Sequence, residues 1–167
     1  MGAHRGGHPP DSEGLILLSP RHLAYLGDAV YELHVRKRLL TEAIPVEQLH
    51  RAKVSKVKAS AQAAALKELM PSLTAAEADV VRRARNLKTA VPRSASVAEY
   101  RYSTAFEALI GHLYLTQDIA RLDAILEAVD AFMDRSAGGS KTSNSGADAN
   151  AAPNPSKEEA PHGGSSH

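Results

Sequence analysis

Between residues 15 and 135 the apolar side chains recur at steps of three and four residues, segment after segment, and no stretch alternates convincingly with period two. That spacing excludes a sheet and predicts an all-α fold, a compact helical bundle. Ser19 followed by Pro20 reads as an N-cap with proline at the first helical position, and Leu23, Leu26, Val30 and Leu33 then mark a stripe on a helix over about 20–40. Pro45 opens a second helix through Val46, Leu49 and Val54. An alanine-rich third runs from about Lys58 to Met70 and stops at Pro71. Thr74 with Glu77 has the spacing of a capping box and starts a helix to about Leu87, and Ser96 with Glu99 repeats the pattern. Phe106, Leu109, Ile110 and Leu113 stripe the helix after Ser96. Ile119, Leu122, Leu126, Val129 and Met133 stripe a last one over about 118–135. Asn86 to Ala95, with Pro92 and little periodicity, reads as a basic loop.

The pattern fades at both ends. From Ser136 to His167 there are 32 residues without a Val, Ile, Leu, Met or aromatic side chain, too few apolar groups to offset the entropy of ordering. Residues 1–13 are similar, so the sequence predicts disordered tails at 1–13 and 136–167 around one domain at 14–135. Only 4% of residues are aromatic, which leaves Ala, Leu, Val and Ile to build the core. The chain has no cysteine, which rules out a disulfide framework, a thiolate zinc site and a cysteine nucleophile together. No apolar run approaches a membrane span and the N-terminus lacks a secretory signal, so the expectation is a soluble cytoplasmic protein with no membrane association.

Twenty basic and nineteen acidic residues make the whole chain nearly neutral, and that average speaks against a polyanion ligand. It conceals a division. Residues 51–101 hold eleven Lys or Arg against four Asp or Glu, whereas residues 102–135 hold two against six. A basic block of this kind is a candidate surface for a polyanion, although solvated helix faces explain it equally well.

Two positions break the helical rules. Gly27 and Asp28 sit inside the first helix, where both have poor propensity, and Glu107 lies in the most apolar helix with Gly111 one turn on. If the two helices meet at their glycines, the two acids come together. Clustered carboxylates without cysteine suit a hard cation such as Mg²⁺, which keeps several waters and takes one or two carboxylates plus substrate phosphate. Solvent exposure or a structural hydrogen bond remains the simpler reading of each acid taken alone. Glu32, one turn past Asp28, is either an outer member of such a site or an i,i+4 partner of Arg36. His22, His34, His50 and His112 show no metal-protease spacing, Ser103 and Thr104 have no nearby histidine in sequence, and no phosphate-binding glycine loop is present.

Tyr25-Leu26-Gly27-Asp28-Ala29-Val30 resembles the signature of the ribonuclease III family, and Phe106-Glu107-Ala108-Leu109-Ile110-Gly111 resembles that family's second acidic motif. Arg83-Ala84-Arg85-Asn86-Leu87-Lys88 with Pro92, and Tyr100-Arg101-Tyr102-Ser103-Thr104-Ala105, are similar to the Mini-III branch, which has the catalytic domain without a double-stranded-RNA-binding domain. The resemblance covers about residues 15–135. Two acids of the full-length family are replaced, by Ala24 and Thr104, as in the Mini-III branch. It implies an endoribonuclease that uses Mg²⁺, with Mn²⁺ able to substitute, held by Asp28 and Glu107 as catalytic and metal-binding residues. It also implies a homodimer that cuts duplex RNA to 5′-phosphate and 3′-hydroxyl ends. The implied substrate is the precursor of large-subunit (23S) ribosomal RNA, with a ribosomal protein as a further partner.

Duplex RNA is read largely through phosphates, 2′-hydroxyls and shape. Lys53, Lys56 and Lys58 after the second helix, and Arg85, Lys88 and Arg93 on or beside the basic loop, are the expected RNA-binding residues, and binding through them should be steeply salt-dependent. A competing reading is a non-catalytic ribonuclease III-like protein that binds RNA or assists ribosome assembly. Retention of both Asp28 and Glu107 speaks against it.

Overall fold

The computed structural model describes residues 18–42, 44–87 and 96–139, and among them there are only helices, turns and connections. In chain order these are α1 (Pro20–Thr41), α2 (Val46–Val57), α3 (Ala59–Leu69), a 3₁₀ turn (Met70–Ser72), α4 (Ala75–Arg85), α5 (Val97–Leu115) and α6 (Ile119–Gly139). The all-α expectation is met. None of these helices is long and apolar enough to cross a membrane.

α5 is the axis. It is apolar nearly all round, and a helix without a polar face has to be surrounded. Accordingly it packs against α1, α3, α4 and α6 and buries Ala105, Phe106, Ala108, Leu109, Ile110 and Leu113. α1 lies against it most extensively, and Tyr31 meets Phe106 edge to face with ring centroids 4.9 Å apart. With so few aromatics, this pair is the largest volume the core has to fill, and the rest is Leu, Val, Ile and Ala.

Local signals set the helix ends, with two exceptions. Thr74 and Glu77 form the full capping box: the Thr74 hydroxyl accepts from the Glu77 backbone N–H at 3.3 Å, and the Glu77 carboxylate accepts from the Thr74 N–H at 2.8 Å. Ser96 caps α5 by position alone and makes no side-chain cap bond, so the expected second box is absent. Ser19 also makes no cap bond, its hydroxyl sitting 3.1 Å from His22 Nδ1 instead. α6 continues four residues beyond Arg135, through Gly139.

The buried face of α1 also differs from the expected stripe. Leu23 is buried, but Leu33 is 60% exposed, and the face toward α5 runs through Leu23, Ala24, Gly27, Tyr31, Val35 and Leu39. A stripe counted from large apolar residues passes over Ala24 and Gly27. Those small residues mark the inner face because the backbones approach so closely there.

α6 is strapped to α1 by charge. His34 Nε2 lies 2.9 Å from Asp130 Oδ2, the Arg38 guanidinium reaches Asp130 at 2.7 Å and also Asp134, and Lys56 of α2 lies 3.9 Å from Asp134.

Candidate active site

The site is built on a crossing of two backbones. A Cβ placed on Gly27 would stand 1.8 Å from the carbonyl oxygen of Glu107 and 2.7 Å from the backbone nitrogen of Gly111. One placed on Gly111 would stand 2.0 Å from the carbonyl oxygen of Leu23. Only glycine fits at either position, because the atoms in the way belong to main chain and cannot swing aside. The helix rule that both glycines break is therefore broken for a contact, and the contact sets Asp28 and Glu107 side by side.

Electrostatics show that the two acids sense each other. Burial, followed by the negative charge of Asp28, pushes the Glu107 carboxyl up to about 7, while a hydrogen bond from Gln62 draws it back. Asp28 stands nearer the solvent. Burial raises its carboxyl above the ordinary value and so does Glu32, with Lys53 opposing. Among the described residues, none of the groups that shift Glu107 is a cation.

Glu32 is held by two cations. It accepts from Arg36 at 2.8 Å, the expected i,i+4 pair, and from Lys53 of α2 at 3.0 Å, which lowers its carboxyl below the usual range. The two positions at which the resemblance marks replaced acids, 24 and 104, hold no ionisable group. Ala24 is buried in the core, and the Thr104 hydroxyl donates to the Tyr100 carbonyl at 3.0 Å.

The expected RNA-binding residues are placed differently from one another. Lys53 stands beside the acids through Glu32. Lys58 is exposed at the joint between α2 and α3. Arg85 lies over the ring of Tyr102, 4.3 Å from its centroid, with Lys67 at 5.1 Å from the same ring. Tyr102 precedes Glu107 by five residues, about 7.5 Å along the α5 axis. Lys56 turns away from the acids toward Glu42 and Asp134, at 4.0 and 3.9 Å. Lys88 and Arg93, with most of the basic loop, lie outside the described residues.

Sequence reasoning misses Gln62. It is a 1% exposed carboxamide on α3, and its effect on Glu107 is to draw that carboxyl back down. The chain does carry a signal: Gln62, Leu66 and Leu69 share the i, i+4, i+7 spacing of a buried stripe, so the one polar member requires a partner.

Among the described residues no group of three or more histidines and acids could hold a metal by itself. The donor set is thus two carboxylates, hard oxygen ligands whose mutual repulsion and burial a divalent cation would relieve. That fits Mg²⁺ or Mn²⁺ completed by water and phosphate oxygens.

Residues 21–118 match the family model of the Ribonuclease III domain. The chain is 52% identical over 122 residues to a protein named Mini-ribonuclease 3 from Symbiobacterium thermophilum, covering 72% of this chain and 94% of that one. It is 51% identical over 115 residues to a Mini-ribonuclease 3 from Gloeobacter violaceus, covering 69% and 84%. A crystal structure of a protein from Fusobacterium nucleatum superposes with a TM-score of 0.65 at 34% identity, over 70% of this chain and 95% of the other.

Proposed function

The chain belongs to the ribonuclease III family, in its Mini-ribonuclease 3 branch, and from that premise we propose that this endoribonuclease cleaves double-stranded RNA with a divalent cation held by Asp28 and Glu107. The observation that carries the reading is the pair of carboxylates brought together at the Gly27/Gly111 crossing, with Glu107 half-buried, pushed up to about 7 and countered by no cation among the described residues. Such a group is costly to keep charged unless a ligand supplies the missing positive charge.

When bound, Mg²⁺ supplies Lewis-acid chemistry, activating water and stabilising the leaving oxygen of a phosphodiester. Asp28 offers a carboxylate at the mouth and Glu107 one deeper in, and the backbone crossing fixes their separation. Lys53 keeps Glu32 occupied beside Asp28 and adds positive charge where a phosphate would arrive. Arg85 and Lys67 over Tyr102 suit a second phosphate further along α5. Lys58 extends the same grip at the α2–α3 joint, and we assign the same role to Lys88 and Arg93. The substrate we assign is the 23S ribosomal RNA precursor in the cytoplasm, with a ribosomal protein as a further partner.

The working form is a homodimer. α1 leaves Tyr25 86% and Leu33 60% exposed on one side, two turns apart, and Tyr25 lies one turn from Asp28. An exposed aromatic in a chain this poor in aromatics suits an interface better than water. Light scattering should return twice the chain mass, and Tyr25→Asp should shift it to a single chain.

The central test is incubation of the purified protein with long duplex RNA, with and without Mg²⁺, beside Asp28→Asn and Glu107→Gln. Cleavage should require the cation and fall by about a thousandfold or more in both variants. Cleavage that survives both substitutions would place the site elsewhere.

A further inference from the structure

Two cations of this fold are gathered at one point with no acid between them. Arg82 and Arg83 of α4 share Asp79, and Glu68 of α3 is taken by Arg135. Arg85, the last residue of α4, and Lys67, in the last turn of α3, therefore pair with no carboxylate among the described residues. Both turn instead to Tyr102 of α5, the Arg85 guanidinium 4.3 Å and the Lys67 ammonium 5.1 Å from the centroid of its ring. Tyr102 is partly buried and packs against the core, so the ring is fixed and the two cations come to it. An aromatic face attracts a cation through its quadrupole and brings no negative charge of its own. A carboxylate in its place would gather the same two heads and neutralise them. The ring gathers them and leaves their positive potential standing, at the point where α4 ends toward Lys88 and Arg93.

We infer that Tyr102 is a positioning residue for RNA binding, its ring holding Arg85 and Lys67 together as a two-cation seat for a phosphate of the duplex backbone. The inference rests on the reading of duplex RNA as the substrate. Long cationic side chains lose rotamer freedom when a phosphate immobilises them, and two of them brought to one spot also repel each other. A ring that has already placed both heads removes part of each penalty before the RNA arrives.

The experiment uses the full chain and a fluorescent RNA duplex in metal-free buffer, so that binding is read without cleavage. Across a salt series, Tyr102→Leu should raise the RNA dissociation constant about tenfold at about 0.1 M salt and lower the slope of log Kd against log salt by about one to two. With Mg²⁺ present, KM for duplex cleavage should rise by the same factor with kcat unchanged, and this comparison decides where metal-free binding is too weak to measure. Tyr102→Phe keeps the aromatic face and should restore both the constant and the slope. A ring that only packs against the core would alter Tm and leave the salt slope where it was. Lys67→Gln combined with Arg85→Gln, which leaves the ring in place, carries the test should the leucine variant not fold, and should show the same loss. A folded Tyr102→Leu or double variant that keeps the parent's salt slope overturns the assignment, as does a Tyr102→Phe that binds no better than Tyr102→Leu. If the unmodified protein neither binds nor cleaves the duplex, the ribonuclease reading fails as well; if it does both and Tyr102→Leu matches it, only the role of Tyr102 fails.

Discussion

Glu77 and Glu107 are the same side chain on neighbouring helices, both largely removed from water, and the protein treats them oppositely. Glu77 is 4% exposed and fully compensated: Arg121 of α6 donates to it twice, at 2.8 and 2.9 Å, and the Thr74 backbone N–H donates at 2.8 Å. These partners hold its carboxyl below the usual range. The same guanidinium donates to the Ser72 carbonyl at 2.9 Å, so one arginine joins the 3₁₀ turn, α4 and α6. Glu107 is raised by burial and by the charge of Asp28, with only the neutral Gln62 opposing, and its carboxyl rises to about 7. The difference separates a carboxylate that finishes the fold from one whose charge no described cation answers.

The largest effect should come from the joint beneath Glu107. Gly27→Ala puts a methyl 1.8 Å from a main-chain oxygen, so α1 and α5 must part, at a cost of more than about 3 kcal/mol in denaturant titration. The same variant should lose cleavage even at temperatures where it stays folded. A silent Gly27→Ala would mean that the crossing is not what spaces the acids. Next is Arg121→Ala, which strands Glu77 without its cation. Allowing for the part of Arg121 that faces solvent, the loss should be about 2 kcal/mol, with cleavage at low temperature intact. Loss of cleavage in the folded variant would erase the distinction between the two glutamates.

The smallest effect, and the one that compares the two directly, is pH dependence in the metal-free protein. Glu107 has a raised value, so its share of stability is full below its ordinary 4.5 and is lost as pH rises through about 7. Glu77 has a lowered value, so its share is full above the ordinary carboxylate range and is lost as pH falls through that range. Glu107→Gln should accordingly match the parent near pH 4.5 and exceed it by on the order of 2 kcal/mol at pH 8. Mg²⁺ should then narrow the gap, by stabilising the parent alone. A Glu107→Gln protein no more stable than the parent at pH 8 would deny that the charge is unanswered.

Features set by neighbours along the chain are legible in the sequence itself. The Thr74/Glu77 box, proline at the head of α1, the end of α3 before Pro71 and the Glu32–Arg36 pair all depend on residues within one turn. Gly27 and Gly111 are legible as violations, and their meeting follows from the assumption that two violations explain each other. What the sequence hides depends on helices far apart in the chain. The partner of Gln62 lies 45 residues on and that of Glu77 lies 44, and no periodicity announces either. Leu33 falls outside the inner face because a hydrophobic stripe is counted by residue size, when the contact that decides the inner face of α1 is made by residues with almost no side chain. The Ser96/Glu99 spacing satisfies the capping pattern and still makes no side-chain cap bond, which shows that the pattern permits the bond without requiring it.

The crossing at Gly27 and Gly111 has one more consequence. Because the two helices touch main chain to main chain, the gauge between Asp28 and Glu107 is written in peptide geometry rather than in side-chain volume. The leucines, valines and isoleucines around it can drift, swap and repack over evolutionary time while that gauge stays as it is. A pair of carboxylates dimensioned in this way is insulated from the turnover of the core around it.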